Sequence, residues 1–339
     1  MAFNITLRPS SLLFEAADDS TILAAADKAG IALAYGCRGG SCGTCKGKVL
    51  EGNIERGIDD LFALTEAERA AGWVLLCTAK VRSDAVIEVA AAVRTANIVV
   101  KTLSARIDSL EHVAPNVLII MLSLPTTESF DFRAGQYITL LFKGGERRDF
   151  SLANAPHETG QVQLHIRLAE GSLSTRMFTE VLKKGDILDF EGPIGAFQLN
   201  PDSTKPIIML AGSTGFAPIK SILDDMAHRG VRRGVHLYRG ARNRAELYLP
   251  QLAEHWSQAI PDFTHVPVLS DPTPECEWHG RSGLVHEAVL QDFADLSAFE
   301  VYACGAVAML EAARHDFIAH GLPHEAFFAD AFTAAPAKQ

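Results

Sequence analysis

The sequence predicts a multidomain chain of α/β and β parts: a compact α/β unit over 1–93, a small antiparallel β-barrel over 100–203, and a doubly wound parallel sheet over 204–339. Three observations predict this. Four of the six cysteines fall within the first 77 residues, in and after a glycine-rich loop. Between about 100 and 200 the chain runs strand after strand, broken by Pro, Gly and Asn. Beyond about 205, short apolar strands alternate with helical periods. At 339 residues the chain also exceeds what one hydrophobic core usually supports.

In the first part, Thr21 to Ala29 suits a short helix, with Ser20 as N-cap and Gly30 as its stop. Val86, Ile87 and Val89 close the part as a strand, and the small apolar run Ala90 to Ala96 reads as a linker. The second part holds strands at Val117 to Leu124, Gln136 to Phe142 and Val162 to Arg167, with one helix candidate, Thr175 to Leu182, the pattern of a barrel with a single helix. In the third, the strand Pro206 to Leu210 leads through a glycine-rich turn into a helix with Ile219, Leu223 and Met226 on one face. Val235 to Tyr238, Phe263 to Val268 and Phe299 to Ala303 continue the strands. There is no internal repeat, and only the tail Ala334 to Ala337 is compositionally biased.

Composition excludes several classes. Apolar residues make up 48% and charged residues 21%, ordinary for a folded protein. The most apolar stretch, Ala85 to Val100, is broken by Glu88 and Arg94, so no membrane span is expected. The N-terminus lacks a basic region followed by an apolar run, so a cytoplasmic location is expected. A formal net charge of −10 argues against nucleic acid as a partner. In a reducing compartment the cysteines read as ligands or free thiols rather than disulfides.

The strongest signal is Cys37-x4-Cys42-x2-Cys45, with Cys77 following, the plant-type [2Fe-2S] spacing. Glycines at 36, 39, 40 and 43 let a loop wrap tightly and turn its N–H groups toward the sulfurs. A zinc site would more usually show paired C-x2-C knuckles, and here there is one.

Two further segments suit nucleotides. Arg148-Asp149-Phe150-Ser151 precedes Gly171-Ser172-Leu173-Ser174-Thr175, which opens the helix candidate. A guanidinium and a serine-rich helix start both suit a pyrophosphate, Phe150 suits stacking on a flavin ring, and the Ser151 hydroxyl suits a bond to its reactive nitrogen. In the third part, Gly212-Ser213-Thr214-Gly215 and Pro218 lie between a strand and a periodic helix, where a dinucleotide approaches the backbone. Cys304-Gly305 ends another strand at the same edge; the bland alternative for that thiol is a small core residue.

These motifs together resemble the ferredoxin–NAD(P)H reductase-like components of bacterial oxygenases, with the ferredoxin part N-terminal, over nearly the whole chain. Gly135-Gln136-Tyr137 is similar to that family's G-Q-Y strand start, and Arg148 to Ser151 to its R-x-Y-S motif with Phe for Tyr. Gly212 to Pro218 is similar to its G-G-T-G-x-A-P motif with Ser213 for the second Gly, and Cys304-Gly305 to its C-G motif. The resemblance implies a β-grasp-like [2Fe-2S] ferredoxin, an FAD-binding barrel and an NAD(P)H-binding sheet. It implies Cys37, Cys42, Cys45 and Cys77 as cluster ligands and adds His165, Arg167, Arg242 and Phe332 to the cofactor-binding residues, with Cys304 beside the nicotinamide and no acid–base catalyst.

The implied route runs from NAD(P)H to FAD, to the cluster, and out to a protein acceptor. The closest likeness is to reductases of aromatic-ring dioxygenases. Reductases of di-iron phenol or toluene monooxygenases and of deoxysugar biosynthesis share the layout, and a plain ferredoxin carrier is the alternative of another class. No cysteine has His two positions on, as a Rieske centre needs, and there is no Glu-x-x-His pair, so the terminal oxygenase is expected on another chain and this one to be a monomer. Tyr238 to Arg244, where an adenosine ribose would lie, shows arginines and no acid. The expectation leans to NADH, with measurable use of NADPH.

Overall fold

The computed structural model describes residues 2–33, 35, 40, 43, 45–57, 63–89, 92–94 and 100–332. Cys37, Cys42, part of the expected linker and the Ala/Pro-rich tail lie outside them. The chain divides into two compact units, residues 1–98 with 324–339, and residues 99–323.

The first unit contains β1 (Ala2–Arg8), β2 (Leu13–Ala17), α1 (Ile22–Lys28), β3 (Ile31–Leu33), β4 (Lys46–Glu51), β5 (Ile54–Glu55), α2 (Glu66–Ala70), β6 (Trp73–Leu75), β7 (Lys80–Val81), β8 (Ala85–Val89) and β9 (Ala92–Arg94). Five strands form a mixed sheet in the order β2-β1-β8-β4-β6, with β1 and β8 parallel. Alternation along β1 buries Ile5 and Leu7, and α1 buries Ile22, Leu23, Ala25 and Ala26. The cap of α1 is Thr21, not Ser20: the Thr21 hydroxyl accepts from the Ala24 N–H at 3.3 Å, whereas Ser20 donates to the Thr21 carbonyl. The expected linker is also revised, because Ala92–Arg94 pairs antiparallel with β3 and is part of this unit.

The second unit opens with β10 (Lys101–Ala114), β11 (Val117–Ser123), β12 (Tyr137–Leu141), β13 (Arg147–Ser151), β14 (Gln161–Arg167), α3 (Leu173–Arg176) and β15 (Ile187–Ile194). The strands are antiparallel in the order β13-β12-β15-β10-β11-β14. The ends meet at a Leu152–Leu164 bridge, with the Ala153 N–H donating to the Gln163 carbonyl at 2.8 Å, which closes the barrel. Ile107, Ile120, Ile138, Leu140, Leu164 and Phe190 are fully buried inside it. The expected helix at 175–182 starts earlier, capped by Ser172, and its second half, Met177–Val181, widens into a π turn closed by the Leu182 N–H on the Met177 carbonyl.

Next come β16 (Ile207–Gly212), α4 (Phe216–Arg229), β17 (Val235–Ala241), α5 (Leu252–Ala259), β18 (Phe263–Leu269), β19 (Arg281–Ser282), α6 (Val285–Asp292), β20 (Glu300–Ala306) and α7 (Val307–Ala319), while β21 (Phe327–Phe332) falls among the residues grouped with the first unit. Within the second unit the sheet order is β19-β18-β17-β16-β20, and these strands pair in parallel. The order reverses beside β16, as in doubly wound sheets that bind ligands at that edge. Among the described residues no helix is long and apolar enough to cross a membrane.

Two sets of buried polar contacts fix the barrel against this sheet. The Lys220 ammonium donates to the Ala153 carbonyl at 3.0 Å, and the Ser221 hydroxyl to the Asn154 carbonyl at 2.7 Å. In the barrel-to-sheet connection, Arg233 donates to the Lys205 carbonyl and pairs with Glu300 at 2.7 Å, both side chains under a tenth exposed. Tyr302 donates to the same carboxylate and accepts from the Asn200 N–H. Removing one partner strands a buried charge, so Arg233→Ala is expected to destabilise this unit by about 3–5 kcal/mol. A thermal melt checks it: an unchanged midpoint overturns the assignment.

Candidate functional site

The register of β4 on β6, Lys46 opposite Leu75, carries Cys45 and Cys77 to the same end of the sheet. The Leu76 N–H donates to the Cys45 carbonyl at 2.9 Å, and the two buried sulfurs stand 3.2 Å apart. Two thiolates sharing one tetrahedral metal stand about 3.8 Å apart at metal–sulfur lengths of about 2.3 Å, so a small opening of this pair fits an iron. Gly43 has φ +69°, a backbone conformation that side-chain-bearing residues rarely adopt, so the loop favours glycine there. Cys37 and Cys42 lie outside the described residues.

In the barrel, Ile138 opposes Phe150 and Leu140 opposes Arg148, so Arg148 and Phe150 share one face of β13 and Asp149 and Ser151 the other. Phe150 is half-buried and meets Phe178 edge-on at 5.9 Å. Asp149 accepts from Thr139 at 2.6 Å, and Arg148 donates to the Arg147 carbonyl. Ser151 is 6% exposed, yet its hydroxyl has no partner among the described residues. Ser151 and His165 flank the Leu152–Leu164 bridge that closes the barrel. His165 Nδ1 lies 2.9 Å from the Tyr248 hydroxyl, while its Nε2 is buried without a partner. Burial holds the His165 pKa well below the usual imidazole range, helped by Lys220 and Arg239, so the ring is neutral. These two unpartnered polar groups fit a flavin, whose ring edge offers both donors and acceptors. Gly171, at φ +72°, turns the chain into α3, where Ser172 accepts from the Thr175 N–H at 3.1 Å and the Thr175 hydroxyl bonds Ala169. Ser174 is half-buried and Arg167 exposed.

At the sheet edge, the turn Gly212 to Gly215 closes on Cys304-Gly305. A Cβ on Gly215 would stand 2.2 Å from the Cys304 carbonyl oxygen, and one on Gly212 or Gly305 2.8 Å from Met309. Thr214 and Pro218 are buried, and Cys304 is fully buried beside Ala211. Phe332 ends β21, half-buried. The three arginines after Tyr238 part company. Arg244 reaches the Cys276 carbonyl, and Arg242 is exposed and paired with Glu246 at 3.2 Å. Arg239 is only 4% exposed, with its guanidinium 3.6 Å above the Phe216 ring and 5.3 Å from that of Tyr248. The stretch Tyr238 to Arg244 itself carries no acid, but Glu246, two residues beyond it, folds back onto Arg242 across a turn. Its position in the helical stretch after the strand hid it, whereas Arg239, a charge inside an apolar strand, was a legible signal.

Residues 5–82 match the 2Fe-2S iron-sulfur cluster binding domain, 104–199 the oxidoreductase FAD-binding domain, and 209–315 the oxidoreductase NAD-binding domain. The chain is 40% identical over 98% of its length, and 99% of the relative's, to a CDP-6-deoxy-L-threo-D-glycero-4-hexulose-3-dehydrase reductase of Yersinia pseudotuberculosis. The chain belongs to the ferredoxin–NAD(P)H reductase-like family of iron–sulfur flavoproteins. Like other members of this reductase family, it is an oxidoreductase that uses NAD(P)H, FAD and a [2Fe-2S] cluster for electron transfer. A Comamonas terephthalate 1,2-dioxygenase reductase component is 36% identical over 99% of both chains. Among solved structures, an Amycolatopsis cytochrome P450 reductase superposes with a TM-score of 0.76 at 30% identity, covering 98% of this chain and 99% of its own.

One titration of the reductase is predictable. Burial, with Arg239 adding, lowers the His265 pKa from 6.5 to about 4. Below about 6.5 the unfolded chain therefore holds a proton that the folded one refuses, and stability falls as the pH drops toward 4. Replacing His265 by Gln should flatten this acid limb in urea titrations at pH 7 and pH 5. An identical loss in both proteins assigns it elsewhere.

Proposed function

We propose that the chain is the reductase component of a multi-protein oxygenase, delivering single electrons to a separate terminal oxygenase that acts on an aromatic ring. The observation that carries this is the buried pair of Cys45 and Cys77, sulfurs 3.2 Å apart, in a compact unit distinct from the one that holds Arg148 to Thr175 and Gly212 to Gly305. FAD accepts the two electrons of a hydride together and releases them singly, and a [2Fe-2S] cluster takes one at a time. In this reading Cys37, Cys42, Cys45 and Cys77 hold the cluster. Arg148 and the Gly171 to Thr175 turn hold the FAD diphosphate, with Asp149, Phe150, Ser151, His165 and Arg167 around the rest of the flavin nucleotide. Gly212, Thr214, Gly215, Pro218, Cys304 and Gly305 seat the nicotinamide half of NAD(P)H, with Phe332 as a further aromatic contact, and the protein works as a monomer.

Full-length Cys77→Ser should lose the cluster's iron and visible absorption. It should still reduce ferricyanide from NADH, since a small acceptor reaches the flavin directly, and should fail with cytochrome c or the oxygenase. Full oxygenase turnover by the variant would remove the cluster from the route. A second acceptor is favoured by the 40% identity to the deoxysugar dehydrase reductase against 36% to the dioxygenase reductase. Supplying purified proteins of both acceptor kinds separates the two, by which one oxidises the reduced cluster.

Glu246 supports NADH as the donor. Its carboxylate, 3.2 Å from Arg242 and largely buried, offsets the cation that would otherwise attract a 2′-phosphate, and it suits a ribose 2′-hydroxyl. Glu246→Gln should therefore raise kcat/KM for NADPH relative to NADH at least tenfold, ~1.4 kcal/mol. A wild-type preference for NADPH above about a hundredfold counts against this assignment.

A further inference from the structure

The residue that follows the assigned ligand Cys45 is a lysine, and its charge is matched from a helix elsewhere in the first unit. Lys46 opens β4 opposite Leu75 of β6, two residues before Cys77. Its stem turns back over the ligand loop: the Lys46 Cε lies 3.2 Å from where a Cβ on Gly43 would stand. The ammonium donates to Oε1 of Glu68 at 2.8 Å, and both side chains are less than a third exposed. Among the described residues neither has a second ion-pair partner.

Helix α2 does not need the charge on that carboxylate. Glu68 is its N3 residue, and Oε2 closes a capping box by accepting from the Thr65 N–H at 2.8 Å. An uncharged Gln closes the same box. Stability does not account for the pair either, since a partly exposed ion pair contributes little to it. What the pair does change is the field at the ligand loop. A bare ammonium there would favour the more negative state of whatever the thiolates hold, and a bare carboxylate the less negative one. Paired, the two charges offset each other.

We propose that Lys46 and Glu68 form a charge-compensating pair that sets the reduction potential of the [2Fe-2S] centre, Lys46 raising it and Glu68 holding that rise in check. Reduction places one electron from the flavin on the centre and so adds one negative charge, the change to which a fixed neighbouring charge responds. The inference rests on the assignment of Cys37, Cys42, Cys45 and Cys77 as ligands under the proposed function.

The test is a spectroelectrochemical titration of the full chain loaded with FAD and cluster. Glu68→Gln, which keeps the cap, should raise the cluster's potential. Lys46→Met, which keeps an unbranched stem over Gly43, should lower it. The variant carrying both changes should return most of the way to wild type, because both charges are gone. The flavin couple, carried by the other unit, should stay where it is in all three. A purely structural pair gives another pattern: both single variants move the cluster's potential in one direction, or not at all, and the double variant shows no return. Either result overturns the proposal, as does an equal shift of the flavin couple. Should Lys46→Met lose its iron, Lys46→Gln carries the same expectation. A wild type without a reversible one-electron [2Fe-2S] couple overturns the ligand assignment together with the proposal, an outcome distinct from a normal couple that the variants leave unmoved.

Discussion

The turn after β16 and the end of β13 are held in one frame by two buried side chains on successive residues of one helix. Lys220 and Ser221 donate to the carbonyls of Ala153 and Asn154, the stretch that leaves β13 just after Ser151. Those carbonyls sit where the barrel closes and have no strand partner left for them, so they need donors from outside the barrel. The ammonium needs its own acid in turn, and Asp224 supplies it while also accepting from Trp256 in the middle of α5. One chain of satisfied polar groups thus runs from the barrel, through α4, to α5. A hydride transfer tolerates little misplacement, and this chain fixes the strand end and the helix start against each other.

Within that frame the glycines of the sheet edge answer to the protein as much as to any ligand. Gly215 is excluded from carrying a side chain by the Cys304 carbonyl, whereas a Cβ on Gly212 or Gly305 would meet the movable end of the Met309 side chain. The two turns pack backbone on backbone, which places a thiol beside a helix start at the edge of the sheet. In the barrel, chemical capacity comes from what is left unpaired, Ser151 and His165 in hydrogen bonds.

Much of this was legible in sequence because it is local. The cysteine spacing, the glycine turn after an apolar strand, and the alternation of Val117 to Leu124 each report a constraint among neighbours in the chain. Strand starts and ends fell within a few residues of expectation for the same reason. What escaped depends on partners distant in sequence. The strand Ala92–Arg94 exists because β3 is there to pair with it, which a small apolar run does not announce. The 14-residue β10 is long because it borders both β11 and β15, and its polar side toward solvent masks the strand pattern. The π turn at Met177–Val181 follows from seating Phe178 in the barrel core. Thr21 and Ser20 are equally good caps on paper, and only the direction of the chain entering α1 decides between them. Glu246 became significant only when a turn folded it back onto Arg242.

The connection between barrel and sheet has a kinetic consequence. Arg233, Glu300, Tyr302 and the backbone at Asn200 and Lys205 form a closed, buried network across the place where a hinge would have to bend. Opening it would separate an ion pair in a dry interior, so large-amplitude rocking on the microsecond-to-millisecond scale is suppressed. The barrel and the sheet are thereby tied together at this joint.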